Sequence, residues 1–174
     1  MSEASLYADA VRLLDGWTGD RVEDFRRLLA EQPGATRADH PGAHLTASAI
    51  VVHPERDRVL LCLHGRVGKW LQLGGHCEDT DDTVAEAALR EATEESGLPG
   101  LRIDPDPVDL DIHPVHCRYG PSLHYDVRFV VLAPAGAEPV VSAESRALGW
   151  FTPDALPEPL GKSTDRLIAR ALRR

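Results

Sequence analysis

The stretch that decides the reading is Gly74–Leu98, GGHCEDTDDTVAEAALREATEESGL. It opens on a glycine pair, crosses an acidic loop and enters a segment with the composition of a helix. On a helix, Glu91 and Glu95 lie four residues apart and Glu91 and Glu94 three apart, so three carboxylates share one face. Like charges at that spacing repel unless a cation sits among them. Hard carboxylate oxygens of this kind suit Mg²⁺ or Mn²⁺ better than zinc or copper. Residues 78–95 carry eight acidic side chains against Arg90 alone, so most of the net charge of −9 is local to this segment.

Working outward, the run WLQL before the glycines predicts a short strand, Trp70–Leu73. Gly97 followed by Pro99 ends the helix, which is expected to start at Asp82 or Thr83. Upstream, LTASAIVV (Leu45–Val52) and VLLCLH (Val59–His64) are β-rich runs on either side of a turn-like HPERDR, and together predict a hairpin. Downstream, Val108–Val115, Tyr125–Ala133 and Leu148–Phe151 predict strands, with CRYGPS as a loop. A last helix is expected over Thr164–Arg173, with Ser163 as its cap. Residues 4–32 have helical periodicity, with Asp20 and Glu23 placed for a capping box, and 36–43 has the composition of a linker. The order of elements favours an α+β layered arrangement over a doubly wound parallel sheet. It divides into an N-terminal helical extension, 1–36, and a main domain, 37–174.

The totals restrict function. No stretch reaches the 18 or so apolar residues that cross a bilayer, and the N-terminus lacks the basic and apolar regions of a signal peptide. Three scattered cysteines, Cys62, Cys77 and Cys117, suggest no disulfide framework. A cytoplasmic protein, monomer or homodimer, is the expectation. The acidic balance disfavours nucleic acid as a partner and leaves a small phosphorylated molecule, bridged by divalent metal, as the fitting ligand. The histidines show no zinc-finger spacing.

The run Arg90-Glu91-Ala92-Thr93-Glu94-Glu95-Ser96-Gly97-Leu98, after a strand and a glycine pair, resembles the second half of the Nudix box, G-x5-E-x7-R-E-U-x-E-E-x-G-U. The first half, from Gly75, carries one extra residue, and Asp81 or Asp82 stands where the family has Glu. The resemblance implies an α/β/α sandwich with a mixed sheet. It also implies a pyrophosphohydrolase acting on a nucleoside diphosphate linked to another group, with Mg²⁺ or Mn²⁺ as cofactor. Carried over residue by residue, it makes Glu91, Glu94, Glu95 and the Gly74 carbonyl metal ligands. Glu94 or Glu95 would also act on the attacking water, and Arg90 would pair with a box carboxylate, Asp82 being the candidate. A Nudix-fold module that binds a nucleotide without cleaving it is the alternative.

For the substrate, two readings stay open: a nucleotide sugar or ADP-ribose, and a nucleoside triphosphate. Pro114, sixteen residues past the box, lies near where the family has a proline associated with ADP-ribose. Candidate substrate contacts are His76 and Glu78 in the loop, Glu144 before the last strand, and His113, His124, Asp126 and Arg128 on the polar faces of two strands, where Asp111 and His116 also lie.

Overall fold

The computed structural model describes residues 3–143 and 145–174. Helices α1 (Glu3–Gly16) and α2 (Val22–Glu31) lead through a 3-10 turn at Pro33–Thr36 into β1 (His44–Val52). There follow β2 (Val59–His64), β3 (Trp70–Leu71), β4 (Leu73–His76), α3 (Val84–Ser96), β5 (Arg102–Ile103), β6 (Asp109–Cys117), β7 (Gly120–Leu132), β8 (Ser145–Phe151) and α4 (Thr164–Ala171).

Strand β1 is the hub. It pairs antiparallel with β2 and with β4 along one edge and parallel with β7 along the other. Every residue of β1 is buried, as expected of a central strand covered on both faces. The sheet is therefore mixed, with the expected β1–β2 hairpin at its centre. The expected loop CRYGPS is instead a tight turn: β6 and β7 pair all the way to Cys117 and Gly120. The strand expected over Trp70–Leu73 breaks at Gln72, so that β3 pairs with β2 and β4 with β1.

Side chains alternate across the sheet and divide the core in two. Leu45, Ala47, Ala49 and Val51 of β1 pack with Ala87, Ala88 and Ala92 of α3 and with Leu6, Leu14, Phe25 and Leu29 of the N-terminal helices. On the other face, Ile50 and Val52 pack with Val59, Leu61 and Val130 under Leu167, Ile168 and Ala171 of α4. The result is the α+β sandwich expected, with the N-terminal helices built into one layer. Truncating Phe25, fully buried and edge-on to Tyr125 at 5.1 Å, would cost about 3–5 kcal/mol.

Helix ends differ from expectation in instructive ways. Asp20 does not cap α2: Arg21 precedes that helix in a left-handed conformation, and no side-chain cap forms. Ser163 likewise sits at φ 64° and does not cap α4; its hydroxyl donates to the Lys162 carbonyl and accepts from Arg128. The capping box lies on α3, which starts at Val84, one or two residues later than expected, with Thr83 and Glu86 bonding each other's backbone N–H. Gly97 ends α3 at φ 65°, as expected. No helix among the described residues is long and apolar enough to cross a membrane.

Candidate active site

The site is built where α3 lies against β4. Leu73, Gly74, Gly75 and His76 pair with Ala49, Ser48, Ala47 and Thr46, so β4 runs beside the most buried part of the sheet. Glu95, 7% exposed, accepts a hydrogen bond from the Gly74 N–H at 3.1 Å. One turn earlier, Glu91 aims its carboxylate at Gly75, where an added Cβ would lie 2.8 Å from all three carboxylate atoms. The glycine is required because the acid and the strand backbone approach so closely. Glu94 lies on the exposed side of the same face, its side chain 60% accessible. Two carboxylates therefore meet the glycine pair, and the third stands open to solvent on the same helix face.

Arg90 organises the acidic loop around them. Its Nε and Nη2 donate to the two oxygens of Asp81, both at 3.0 Å, a bidentate pair. Nη1 reaches Glu91 at 3.0 Å and Glu94 at 3.3 Å, and Nη2 also donates to the His76 carbonyl. The Asp81 hydrogen bond, opposed by burial and reinforced by Glu91, raises the Arg90 pKa above its ordinary value. Asp81, not Asp82, is therefore the partner of Arg90. The same carboxylate accepts from the Glu78 N–H at 2.8 Å, and the Asp81 N–H returns to the Glu78 carbonyl, closing the loop on itself. Asp82 donates its N–H to Glu86. Glu78 stands at the rim, 3.8 Å from Arg90.

Asp9 of α1 supplies a contact that local sequence does not announce. Its buried carboxylate accepts from the Val84 N–H at 2.9 Å, at the first turn of α3. A carboxylate there satisfies a helix-end donor and complements the helix dipole.

The remaining candidates among the described residues lie on the sheet face opposite α3. Asp126 is buried and accepts from Thr46 and Ser48 hydroxyls at 3.2 and 2.8 Å and from Arg128 Nε at 2.8 Å. Arg128, 2% exposed, also reaches Asp111 at 3.1 Å and Asp109 at 3.3 Å. Arg166 and Arg170 of α4 close the same network onto Asp109 and Asp111. Asp111 is desolvated, but the hydrogen bond from His113 and the charge of Arg128 hold its carboxyl well below the usual range.

Towards the start of β1, this face carries rings in place of ions. His76 and His124 gather with His44, their ring centroids 4.8–5.0 Å apart, and His113 lies 5.5 Å from His124. Burial, with the neighbouring His76, His44 and His113, pushes His124 down to about 3. Burial lowers His44 and His76 as well. Trp70 packs edge-on to Phe151 at 5.0 Å within the α4 layer. Glu144 lies outside the described residues.

With this geometry in view, the chain can be placed. The sequence model of the NUDIX domain matches residues 42–171, and the chain belongs to the NUDIX family. A NUDIX-family hydrolase from Clostridium perfringens is 23% identical, with a TM-score of 0.61 over 75% of this chain and 96% of that one. The MutT NUDIX hydrolase from Burkholderia pseudomallei is 29% identical, with a TM-score of 0.54 over 74% and 97%. The NUDIX domain of Shewanella oneidensis NrtR, solved with ADP ribose, is 21% identical, with a TM-score of 0.57 over 86% and 97%. None of the curated proteins matches the sequence.

Proposed function

We propose that this protein hydrolyses a phosphoric anhydride in a nucleoside diphosphate derivative, with Mg²⁺ or Mn²⁺ held by Glu91, Glu94, Glu95 and the Gly74 carbonyl. The observation that carries the reading is the approach of Glu91 and Glu95 to the glycine pair, with Gly75 leaving room for Glu91 where any Cβ would collide, and with Glu94 tied to Glu91 through Arg90. Their all-oxygen chemistry fits a hard divalent cation. Bound metal would neutralise the phosphate oxygens and favour attack by water, the main requirement of phosphoryl-type chemistry.

The chain's own residues do the rest. Glu95, anchored by the Gly74 N–H, fixes the inner edge of the site. Exposed Glu94 is placed to orient the attacking water or take its proton. Arg90 holds Glu91 and Glu94 through Nη1 while Asp81 grips its other side, so the carboxylates are pre-positioned without losing their oxygens to one another. The loop with one extra residue thus retains a partner for Arg90, which favours the enzyme over a binding module.

The substrate classes are a nucleotide sugar or ADP-ribose and a nucleoside triphosphate. The ADP ribose seen with the NrtR domain supports the first. The test is a hydrolysis screen across both classes with Mg²⁺ and Mn²⁺, read as phosphate released by added alkaline phosphatase from the monoester products of the diphosphate sugars and by added inorganic pyrophosphatase from the pyrophosphate of the triphosphates, using wild type, Glu94→Gln and Glu95→Gln. Metal-dependent turnover in wild type that is lost in the variants, with the circular dichroism unchanged, is expected. Full activity in both variants would overturn the assignment, and no release from any substrate would favour the binding module.

A further inference from the structure

The histidine cluster behind β4 contains a fourth member that the hydrolase reading leaves unused. Cys117, at the tip of the β6–β7 hairpin, brings its Sγ to 3.3 Å from His124 Nε2 and 3.7 Å from His44 Nε2. His44 Nε2 in turn lies 2.9 Å from His76 Nε2. One ligand atom from each of His44, His76, Cys117 and His124 lies within 4.8 Å of every other. We infer that these four residues form a zinc site, separate from the carboxylate site and of different chemistry.

The dimensions suit it. Zn–N bonds of about 2.05 Å and a Zn–S bond of about 2.3 Å in a tetrahedron set ligand atoms roughly 3.3–3.6 Å apart. Three of the six ligand-atom separations, 2.9, 3.3 and 3.7 Å, straddle that range, and all six lie within 4.8 Å. The donor set suits it too: a thiolate with imidazoles selects zinc over Mg²⁺ or Ca²⁺. A tautomer is already chosen at His44. Its Nδ1 lies 3.1 Å from the Gly42 carbonyl, which can only accept, so Nδ1 carries the proton and Nε2 presents its lone pair to the cluster. Ser122 on the hairpin donates to the same carbonyl, tying the Gly42 turn to the strand that carries His124. With four protein ligands the site is closed, the arrangement of structural rather than catalytic zinc.

Strand alternation separates the two sites. Gly75, which Glu91 faces, and His76, its neighbour, point to opposite sides of β4. Zinc would pin β1, the end of β4 and the β6–β7 hairpin together at the point where the acidic loop departs. The His76 carbonyl, which Arg90 holds, sits on that pinned residue. His76 is thus the link between the two sites, and the inference stands whether or not the chain is a hydrolase.

The full-length protein should be purified without chelator, desalted and its metal content measured, then stripped and titrated with Co²⁺ as an absorbing stand-in for zinc. One equivalent of zinc per chain is expected, together with an intense sulfur-to-cobalt charge-transfer band. Cys117→Ser should abolish the band, and Glu94→Gln should keep it. Should the Cys117→Ser chain misfold, alkylation of the wild-type protein decides, read by peptide mass spectrometry. Cys117 is expected to react in stripped protein and to be protected after zinc alone is added. A proton-shared histidine–thiol cluster without metal would overturn the inference. It would appear as no bound zinc and no cobalt–thiolate band in wild type, or as alkylation indifferent to zinc; a band that survives Cys117→Ser would equally overturn it, by placing the metal on another thiol.

Discussion

Replacing Arg128 by Met probes how the sheet face behind the carboxylate site is held. Arg128 is 2% exposed and donates to Asp126 at 2.8 Å, Asp111 at 3.1 Å, Asp109 at 3.3 Å and the Ser163 hydroxyl at 2.9 Å. The three acids do not suffer equally when it goes. Asp109 retains Arg166 and Arg170, and Asp111 retains Arg166 and His113. Asp126 is left buried with the hydroxyls of Thr46 and Ser48. Removing one partner of a buried ion pair costs about 3–5 kcal/mol, mostly for the charge left behind. With a urea m-value of about 2 kcal/mol/M, the midpoint should fall by roughly 2 M. If the stranded charge is the cause, Asp126→Asn added to Arg128→Met should recover about 2 kcal/mol or more, although Asp126→Asn alone destabilises. Equilibrium urea unfolding of the four chains measures the cycle. A loss below about 1 kcal/mol for Arg128→Met, or a double variant no more stable than the single, would refute the reasoning.

Two further outcomes follow from the contacts described. Asp9→Ala removes the acceptor of the Val84 N–H and should cost about 1–2 kcal/mol in urea unfolding, as loss of a helix-end acceptor does; an unchanged midpoint would show that the bond contributes nothing. In chelator-stripped protein, His124 stays neutral down to about 3, while an unfolded histidine titrates near 6.5. Between those values the unfolded chain binds more protons, so stability is flat above about pH 6.5 and falls as pH drops, by up to about 1.4 kcal/mol per pH unit for each such histidine. His44 and His76 add in the same direction, and thermal melts that coincide at about pH 7 and about pH 5 would contradict this account.

What was legible in the sequence was local. Arg90–Leu98 reads directly because helical spacing converts three glutamates into one face, and α3 places Glu91 and Glu95 at the glycine pair as that spacing requires. The loop before it was ambiguous by one residue, since counting from either end gives a different aspartate. The bidentate geometry of Arg90 selects Asp81. Capping was misread at Asp20 because composition suggests a cap but not the left-handed Arg21 that follows it, whereas Thr83–Glu86 offered the same signature and forms the box. The histidine–cysteine cluster had no readable spacing. Its members come from β1, β4 and the two strands of a hairpin, and the parallel pairing that sets His44 beside His124 spans 80 residues. Alternation showed that His124, Asp126 and Arg128 share a face. It could not show that Arg128 meets three acids from two strands, because that depends on register.

The bond from Val84 to Asp9 also bears on where this protein begins as a folding unit. The family match starts at residue 42, yet the first turn of the helix carrying Glu91, Glu94 and Glu95 rests on a carboxylate 75 positions upstream. Leu6, Ala10, Leu14, Phe25 and Leu29 cover the same layer of the core. A chain trimmed to the matched residues would expose that apolar layer and leave a helix-end donor bare at the entrance to its own acidic loop. The matched span and the packed unit therefore have different edges here, and removing the helices before the match would strip both packing and a helix-end acceptor from the helix that carries Glu91, Glu94 and Glu95.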